Sequence, residues 1–309
     1  MKSKRSILLA IMTLVVMTSA SLAQETPTIF RFYDRDKDGL ISLSALPSFV
    51  RDRIAQIDVD DDGQVSIQEA NEGRAAIGFG KSNSGASPPT YKNIAYSSAF
   101  ERSKMDVWLP EGATGKVPLV VFFHGGGFVV GSKDAIYFNV LHSLKERGVA
   151  FASVGYPLRS DKSVKGKRAS LKTIFKESAT ALDFIRDNAD DWGVDPDRIV
   201  LAGLSAGVVI SQKLAYADGE KVDAVLAIQQ PFLLRPAQNW LRTDAPKMFL
   251  YTLSGPGDRL HSPRYAQQLF GQCKEVGMEC HLYGSRSSGL PRLPEGETIL
   301  DVVGKELGW

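Results

Sequence analysis

The sequence predicts an α/β fold: a mostly parallel central sheet with helices on both faces, preceded by a small helical module. Three observations lead there. Apolar runs at about 119–123, 149–154, 199–202, 223–228, 247–253 and 279–283 alternate with helix-like stretches near 135–147, 169–189, 206–217, 263–276 and 296–307. That alternation suits parallel strands joined by right-handed crossovers. Two strand ends run into glycine-rich turns, His124-Gly125-Gly126-Gly127-Phe128 and Gly203-Leu204-Ser205-Ala206-Gly207. Ahead of them, two aspartate-rich loops repeat 24 residues apart, from Asp34 to Asp58.

Residues 1–23 read as a secretory signal peptide. Lys2, Lys4 and Arg5 form its positive end, Ile7 to Met17 its apolar stretch, and Ser21-Leu22-Ala23 a small-residue cleavage site. The apolar stretch is short for a transmembrane helix, so the mature chain is expected to have no membrane span. No cysteine follows the cleavage site, which argues against lipid attachment there. The expected location is periplasmic or secreted, with an uncleaved anchor as the alternative.

Residues 24–77 hold the two acidic loops. Asp34-x-Asp36-x-Asp38-Gly39-Leu40 and Asp58-x-Asp60-x-Asp62-Gly63-Gln64-x-Ser66-x-x-Glu69 resemble EF-hand calcium loops. That pattern supplies oxygen ligands at loop positions 1, 3 and 5, a backbone carbonyl at 7 and a bidentate Glu at 12. The second loop meets it in full through Asp58, Asp60, Asp62, the Gln64 carbonyl and Glu69. The first offers Asp34, Asp36, Asp38 and the Leu40 carbonyl but has Ala45 at position 12, so weaker binding is expected. Leu46, Phe49, Val50, Ile54 and Ile57 are spaced for one helix between the loops, with Pro47 in its first turn. Bound metal is expected to supply much of the stability of so small a module, so the expected role of Ca²⁺ is structural or adhesive rather than that of a switch.

Residues 78–90, rich in Gly, Ser and Pro, read as a linker. Residues 91–309 suffice for one α/β domain without a large lid. Lys and Arg total 37 against 35 Asp and Glu, so nothing in the charge balance points to nucleic acid. The run Lys162, Lys165, Lys167, Arg168 either steers an anionic substrate or is a solvated loop. An oxidising compartment permits a bridge between Cys273 and Cys280; spacing alone leaves it open.

The chemistry lies in the two glycine-rich turns. Ile199-Val200-Leu201-Ala202, then Gly-x-Ser-x-Gly, then a helix from Ala206 is a nucleophile elbow, with Ser205 on a strained turn. The run Pro118 to Phe123 reads as a buried strand, and the glycines after His124 leave backbone N–H groups free to meet an oxyanion.

With these motifs, the chain from about Tyr91 to Trp309 resembles the α/β-hydrolase superfamily. It is similar to carboxylesterases related to hormone-sensitive lipase and to bacterial feruloyl or acetyl-xylan esterases. Met105-Asp106-Val107-Trp108-Leu109-Pro110, Ser153 to Leu158 and Trp192 to Arg198 carry the likeness further. The resemblance implies Ser205 as nucleophile, the N–H groups of Gly126, Gly127 and Ala206 as oxyanion hole, and a structural role for His124. Asp258, in the turn after strand 247–253, becomes the acid. Implied partners are a small ester or an esterified polysaccharide, with no cofactor for catalysis.

The base departs from the family. Tyr283 to Leu290 stands where the family has Tyr-Pro-x-x-x-His-Gly-Phe, and Ser288 occupies the histidine position. Only four histidines exist: His124, His142, His261 and His281. His281 falls in a strand and His142 in a helix. His261, three residues after Asp258, is the candidate substitute base. Three functions follow: ester hydrolysis through Ser205, a pseudo-hydrolase that binds without turnover, or a calcium module anchoring a passive domain. On this alignment, Ser288→His is expected to raise esterase activity.

Overall fold

The computed structural model describes residues 30–34, 36–46, 51, 58, 62–67, 88–134, 143–232 and 240–309. The expected signal peptide, linker residues 78–87, His142 and the calcium candidates Asp60 and Glu69 lie outside them. So does most of the helix expected between the acidic loops.

At the N-terminal end, β1 (Leu40–Ser42) pairs antiparallel with β2 (Gln64–Ser66), with Ile41 opposite Val65. These two side chains close a small core with Leu46 and with Phe30 of α1 (Phe30–Tyr33).

The main sheet contains β3 (Tyr91–Ala95), β4 (Lys104–Trp108), β5 (Val117–Phe123), β6 (Ala150–Val154), β7 (Val194–Leu204), β8 (Ala224–Ile228), β9 (Lys247–Thr252) and β10 (Cys280–Gly284). Their spatial order is β10-β9-β8-β7-β5-β6-β4-β3. From β6 to β10 every pairing is parallel, while β4 is antiparallel to both β6 and β3. The central β5 is buried at every position, as a strand covered on both faces must be.

Alternation along β5 builds two cores. Leu119, Val121 and Phe123 join the cluster with Ile174, Leu182 and Ile185 of α2 (Leu171–Asp187), Val208 of α3 (Ala206–Gln212) and Leu269 of α4 (Pro263–Glu275). Val120 and Phe122 face the other way, onto Leu144 and onto Leu300 and Val303 of α5 (Ile299–Leu307). Each buried aliphatic side chain contributes about 1.5–3 kcal/mol relative to exposure.

All six expected strands are present, and their boundaries have local causes. The strand expected at 199–202 runs from Val194 to Leu204 because its lower part also pairs with β5, Val194 opposite Val117. The helix expected over 206–217 changes to π-helical winding from Lys213 to Asp218. The last helix starts at Ile299, because Thr298 and Asp301 form a capping box. Of the helix expected over 135–147, the described part is helical at 143–146. Cys273 and Cys280 form a disulfide with a Cα separation of 6.2 Å, tying the last turn of α4 to the start of β10. Among the described residues no helix is long and apolar enough to cross a membrane.

Candidate active site

Ser205 sits between the end of β7 and the start of α3 with φ 52° and ψ −111°, a strained backbone for a residue with a side chain. The turn is possible because its flanks lack side chains. A Cβ on Gly203 would fall 2.2 Å from the Gly207 carbonyl carbon, and one on Gly207 would fall 1.9 Å from the Phe123 carbonyl oxygen. The Ser205 N–H donates to the Ile228 carbonyl at 3.0 Å, fastening the elbow to the end of β8.

One strand further on, the turn after β9 delivers two more groups. His261 Nε2 lies 2.8 Å from Ser205 Oγ, with the His261 side chain 6 % exposed. His261 Nδ1 lies 3.4 Å from Asp258 Oδ2, longer than an ordinary N–H···O hydrogen bond. The turn is wound by the aspartate itself: Asp258 Oδ1 accepts from the backbone N–H groups of Leu260 (2.8 Å) and His261 (2.9 Å). Ser254 Oγ donates to Asp258 Oδ2 at 2.7 Å. Burial works against the charge on Asp258. The nearby His261 ring, together with the hydrogen bonds from Ser254 and the two backbone groups, outweighs it and holds the carboxyl well below the usual range.

The oxyanion candidates lie on the other side of the elbow. Gly125 packs so closely on β7 that an added Cβ would meet the Leu204 carbonyl oxygen at 3.1 Å. The loop folds back through hydrogen bonds from Val129 and Val130 N–H to the Gly126 carbonyl, both 3.1 Å. Among the described residues, the N–H groups of Gly126 and Gly127 have no intramolecular acceptor. Ala206 opens α3, and a helix's first N–H has no partner within the helix.

His124 holds this loop rather than reaching the serine. Its Nδ1 lies 2.8 Å from the Gly125 carbonyl, its ring stacks on Tyr156 at 4.1 Å, and Tyr156 donates its hydroxyl to the His124 carbonyl at 2.6 Å. Burial pushes the His124 pKa down to about 4, so the ring is neutral near pH 7.

Ser288 is buried and turned into its own loop. Its Oγ donates to the Ser285 carbonyl (2.7 Å) and accepts from Leu290 N–H (3.1 Å). Its side chain fills the space over Gly284, where an added Cβ would fall 2.1 Å from Ser288 Oγ. An imidazole at 288 would have to displace this packing, and Ser205 already has a histidine. This packing does not favour the gain expected from Ser288→His. His281 stacks on Phe249 at 4.6 Å within β10, with Nε2 3.4 Å from Glu279. The basic run closes on itself through a bridge between Lys162 and Arg168.

Two site residues escaped the sequence reading, Ser254 and Tyr156. Both are ordinary residue types whose contacts arise only in the folded chain. The signal for His261 was its three-residue offset from Asp258.

In the acidic loops, Asp34, Asp36 and Asp38 each bring a carboxylate oxygen within 4.8 Å of the others. The two loops share one hydrogen-bond pattern. Gly39 N–H donates to Asp34 Oδ2 at 3.1 Å and Gly63 N–H to Asp58 Oδ2 at 3.0 Å. Leu40 and Gln64 likewise donate to Asp38 and Asp62 at 2.8 and 2.7 Å. Asp34 Oδ1 is buried and has no hydrogen-bond partner among the described residues.

A family model described as BD-FAE matches residues 105–232, a stretch that includes the oxyanion loop and the elbow but stops before Asp258 and His261. The probable carboxylesterase 6 of Arabidopsis thaliana is 30 % identical over 178 residues, 53 % of this chain and 51 % of that protein. A probable isoprenylcysteine alpha-carbonyl methylesterase of the same plant is 30 % identical over 126 residues, 40 % of this chain. This chain spans about half the length of the first and 24 % of the second. Among solved structures, a truncated carbohydrate esterase from gut microbiota superposes with a TM-score of 0.55 at 16 % identity, covering 65 % of this chain and 90 % of that one. The butyrate-bound Thermogutta terrifontis esterase Est2 gives 0.54 at 17 % identity, covering 71 % and 92 %. The chain thus has the α/β-hydrolase fold, and the relatives just named are esterases.

Proposed function

We propose that this chain is an exported serine carboxylesterase that uses His261, not a histidine at position 288, as its base. The observation that carries this is the 2.8 Å separation of Ser205 Oγ and His261 Nε2. A serine hydroxyl attacks an ester only when a neighbouring base takes its proton. His261 Nε2 takes it as Oγ bonds to the acyl carbon, and the carbonyl oxygen becomes an oxyanion facing the N–H groups of Gly126, Gly127 and Ala206. The C–O bond then breaks, with His261 returning its proton to the leaving alcohol. Water repeats the sequence on the acyl-enzyme: His261 takes its proton, the acid leaves, and Ser205 regains its hydrogen. Asp258, held ionised, stabilises the imidazolium formed in both halves.

Short acyl or aryl esters, including those on polysaccharides, are the proposed substrates, in keeping with the carboxylesterase and carbohydrate esterase likenesses. The alternative, a binding protein without turnover, is supported by Ser288 alone, whereas a base in contact with Ser205 favours hydrolysis. Hydrolysis of an aryl acetate is the test, comparing the natural protein with Ser205→Ala and His261→Ala. Activity lost in both supports the proposal; activity retained by either variant refutes it.

The two acidic loops are proposed as structural Ca²⁺ sites in this exported chain. Their carboxylate-rich donor set suits a hard cation, and Asp34 Oδ1, buried with no hydrogen-bond partner among the described residues, is an oxygen that a cation would satisfy. Asp34, Asp36, Asp38 and the Leu40 carbonyl would hold one ion. Asp58, Asp60, Asp62, the Gln64 carbonyl and Glu69 would hold the other, more tightly. Bound calcium supplies fixed charge at the loops and no chemistry at Ser205. Calorimetric titration of the full chain with Ca²⁺ is expected to show binding that Glu69→Gln weakens; the absence of binding heat and of a thermal shift would refute it.

A further inference from the structure

We infer that Gln229, acting through Ser254, is a positioning residue for the turn that carries Asp258 and His261; this rests on the serine-hydrolase reading above. Gln229 follows β8 directly and is 4 % exposed. Its side-chain oxygen accepts from Leu253 N–H (3.0 Å) and Ser254 N–H (3.3 Å), which fixes the orientation of its amide. The amide nitrogen therefore faces Ser254 Oγ, at 2.8 Å, as a donor. A hydroxyl that accepts from an amide keeps its one hydrogen for another partner, and that partner is Asp258 Oδ2 at 2.7 Å. The chain of donors runs one way, from Gln229 to Ser254 to the carboxylate beside His261.

The backbone at this point supports a special role. Gln229 has φ 60°, a left-handed conformation uncommon for a residue with a side chain, and its N–H donates to the Tyr251 carbonyl at 2.8 Å. The preceding residue, Ile228, accepts from the Ser205 N–H. The end of β8 thus holds the nucleophile with one residue and the acid–base turn with the next. The coupling matters because acid and base share one short turn. A shift of that turn moves both groups at once, and a displacement of about 1 Å can cost roughly 100-fold in rate.

The direction of the relay allows a test that packing alone would not pass. Gln229→Glu keeps the size and both backbone contacts. An ionised carboxylate there only accepts, so it takes the Ser254 hydrogen away from Asp258. A protonated one still donates. The probe is a fluorophosphonate ester, with phosphonylation of Ser205 followed by intact mass over pH 5 to 9, and folding checked by thermal melting. Ser254→Ala is expected to lower the maximal labelling rate about 10- to 100-fold with little change in the half-saturating concentration. Gln229→Glu is expected to fall progressively behind the natural protein as pH rises. In Gln229→Glu/Ser254→Ala, that pH-dependent deficit relative to Ser254→Ala should disappear, because the relay is already cut.

A folded Ser254→Ala that labels at the natural rate overturns the inference. So does a pH-dependent deficit that persists in the double variant, since the introduced carboxylate would then act directly. Full-rate labelling elsewhere in Ser205→Ala would overturn the hydrolase reading itself, a distinguishable failure.

Discussion

Asp258 and His261 stand three residues apart on one turn, yet His261 Nε2 reaches Ser205 Oγ at 2.8 Å while its Nδ1 faces the Asp258 carboxylate at 3.4 Å. On the proposed function, a base on the same loop as Asp258 removes the need for one after β10. The sheet brings the groups together: Ser205 follows β7, Asp258 and His261 follow β9, and β8 lies between them.

Loss of the base should be nearly as severe as loss of the nucleophile. His261→Ala is predicted to reduce kcat for an aryl ester by at least about 1,000-fold, leaving the residual rate that oxyanion donors and binding provide. Steady-state kinetics on the folded variant check this. An effect below about tenfold would mean that another group serves as base.

Ser288→His is predicted to give no gain, and to lower the melting temperature by disturbing the Ser285, Leu290 and Gly284 contacts. His261→Ala/Ser288→His is the sharper measurement. If it recovers substantial activity, position 288 reaches Ser205 after all.

Gly207→Ala is predicted to destabilise the domain by about 3 kcal/mol or more, because its Cβ would overlap the Phe123 carbonyl oxygen at 1.9 Å. Neither atom belongs to a flexible side-chain end, so relief requires moving α3 or β5. Denaturant unfolding of the variant is the measurement, and a cost under about 1 kcal/mol would contradict the packing described.

His124 predicts a pH dependence of stability. Its folded pKa, about 4, lies below the value of about 6.5 for an unhindered histidine, so the unfolded state binds the extra proton between those values. Stability should therefore fall as pH drops from about 6.5 towards 4, by about 3 kcal/mol from this residue, and level off below. Asp258 acts in the same direction at lower pH: its depressed pKa stabilises the fold above the ordinary aspartate range, and that contribution disappears on further acidification. Unfolding curves from pH 7 to 4 should lose the upper part of this slope in His124→Asn.

Replacing Cys273 and Cys280 together by serine should cost roughly 2–3 kcal/mol, the chain-entropy value for so short a loop. Activity should change little, since the bridge joins the end of α4 to the start of β10, whereas Ser205 and His261 follow the carboxyl ends of their strands. Reduced kcat in the folded variant would show coupling from the bridge to the site.

Legibility in the sequence followed the range of the interactions. The strands β5 to β8 were readable because a strand buried on both faces must be apolar throughout. Their limits were less so, since Val194 extends β7 through pairing with Val117 across the sheet. Ser254 gave no signal, because its value lies in the atoms that meet it, Gln229 Nε2 and Asp258 Oδ2.

By itself, the sequence determined the α/β layering, the elbow at Ser205, the glycine-rich loop after His124 and the aspartate of the β9 turn. Each depends on residue types at short fixed spacing, where sterics and backbone donors act locally. Which histidine meets the serine was decided by tertiary structure alone. Ser205 and His261 are 56 residues apart, and their 2.8 Å contact exists only once β7, β8 and β9 align in parallel and Asp258 winds the turn that aims the imidazole.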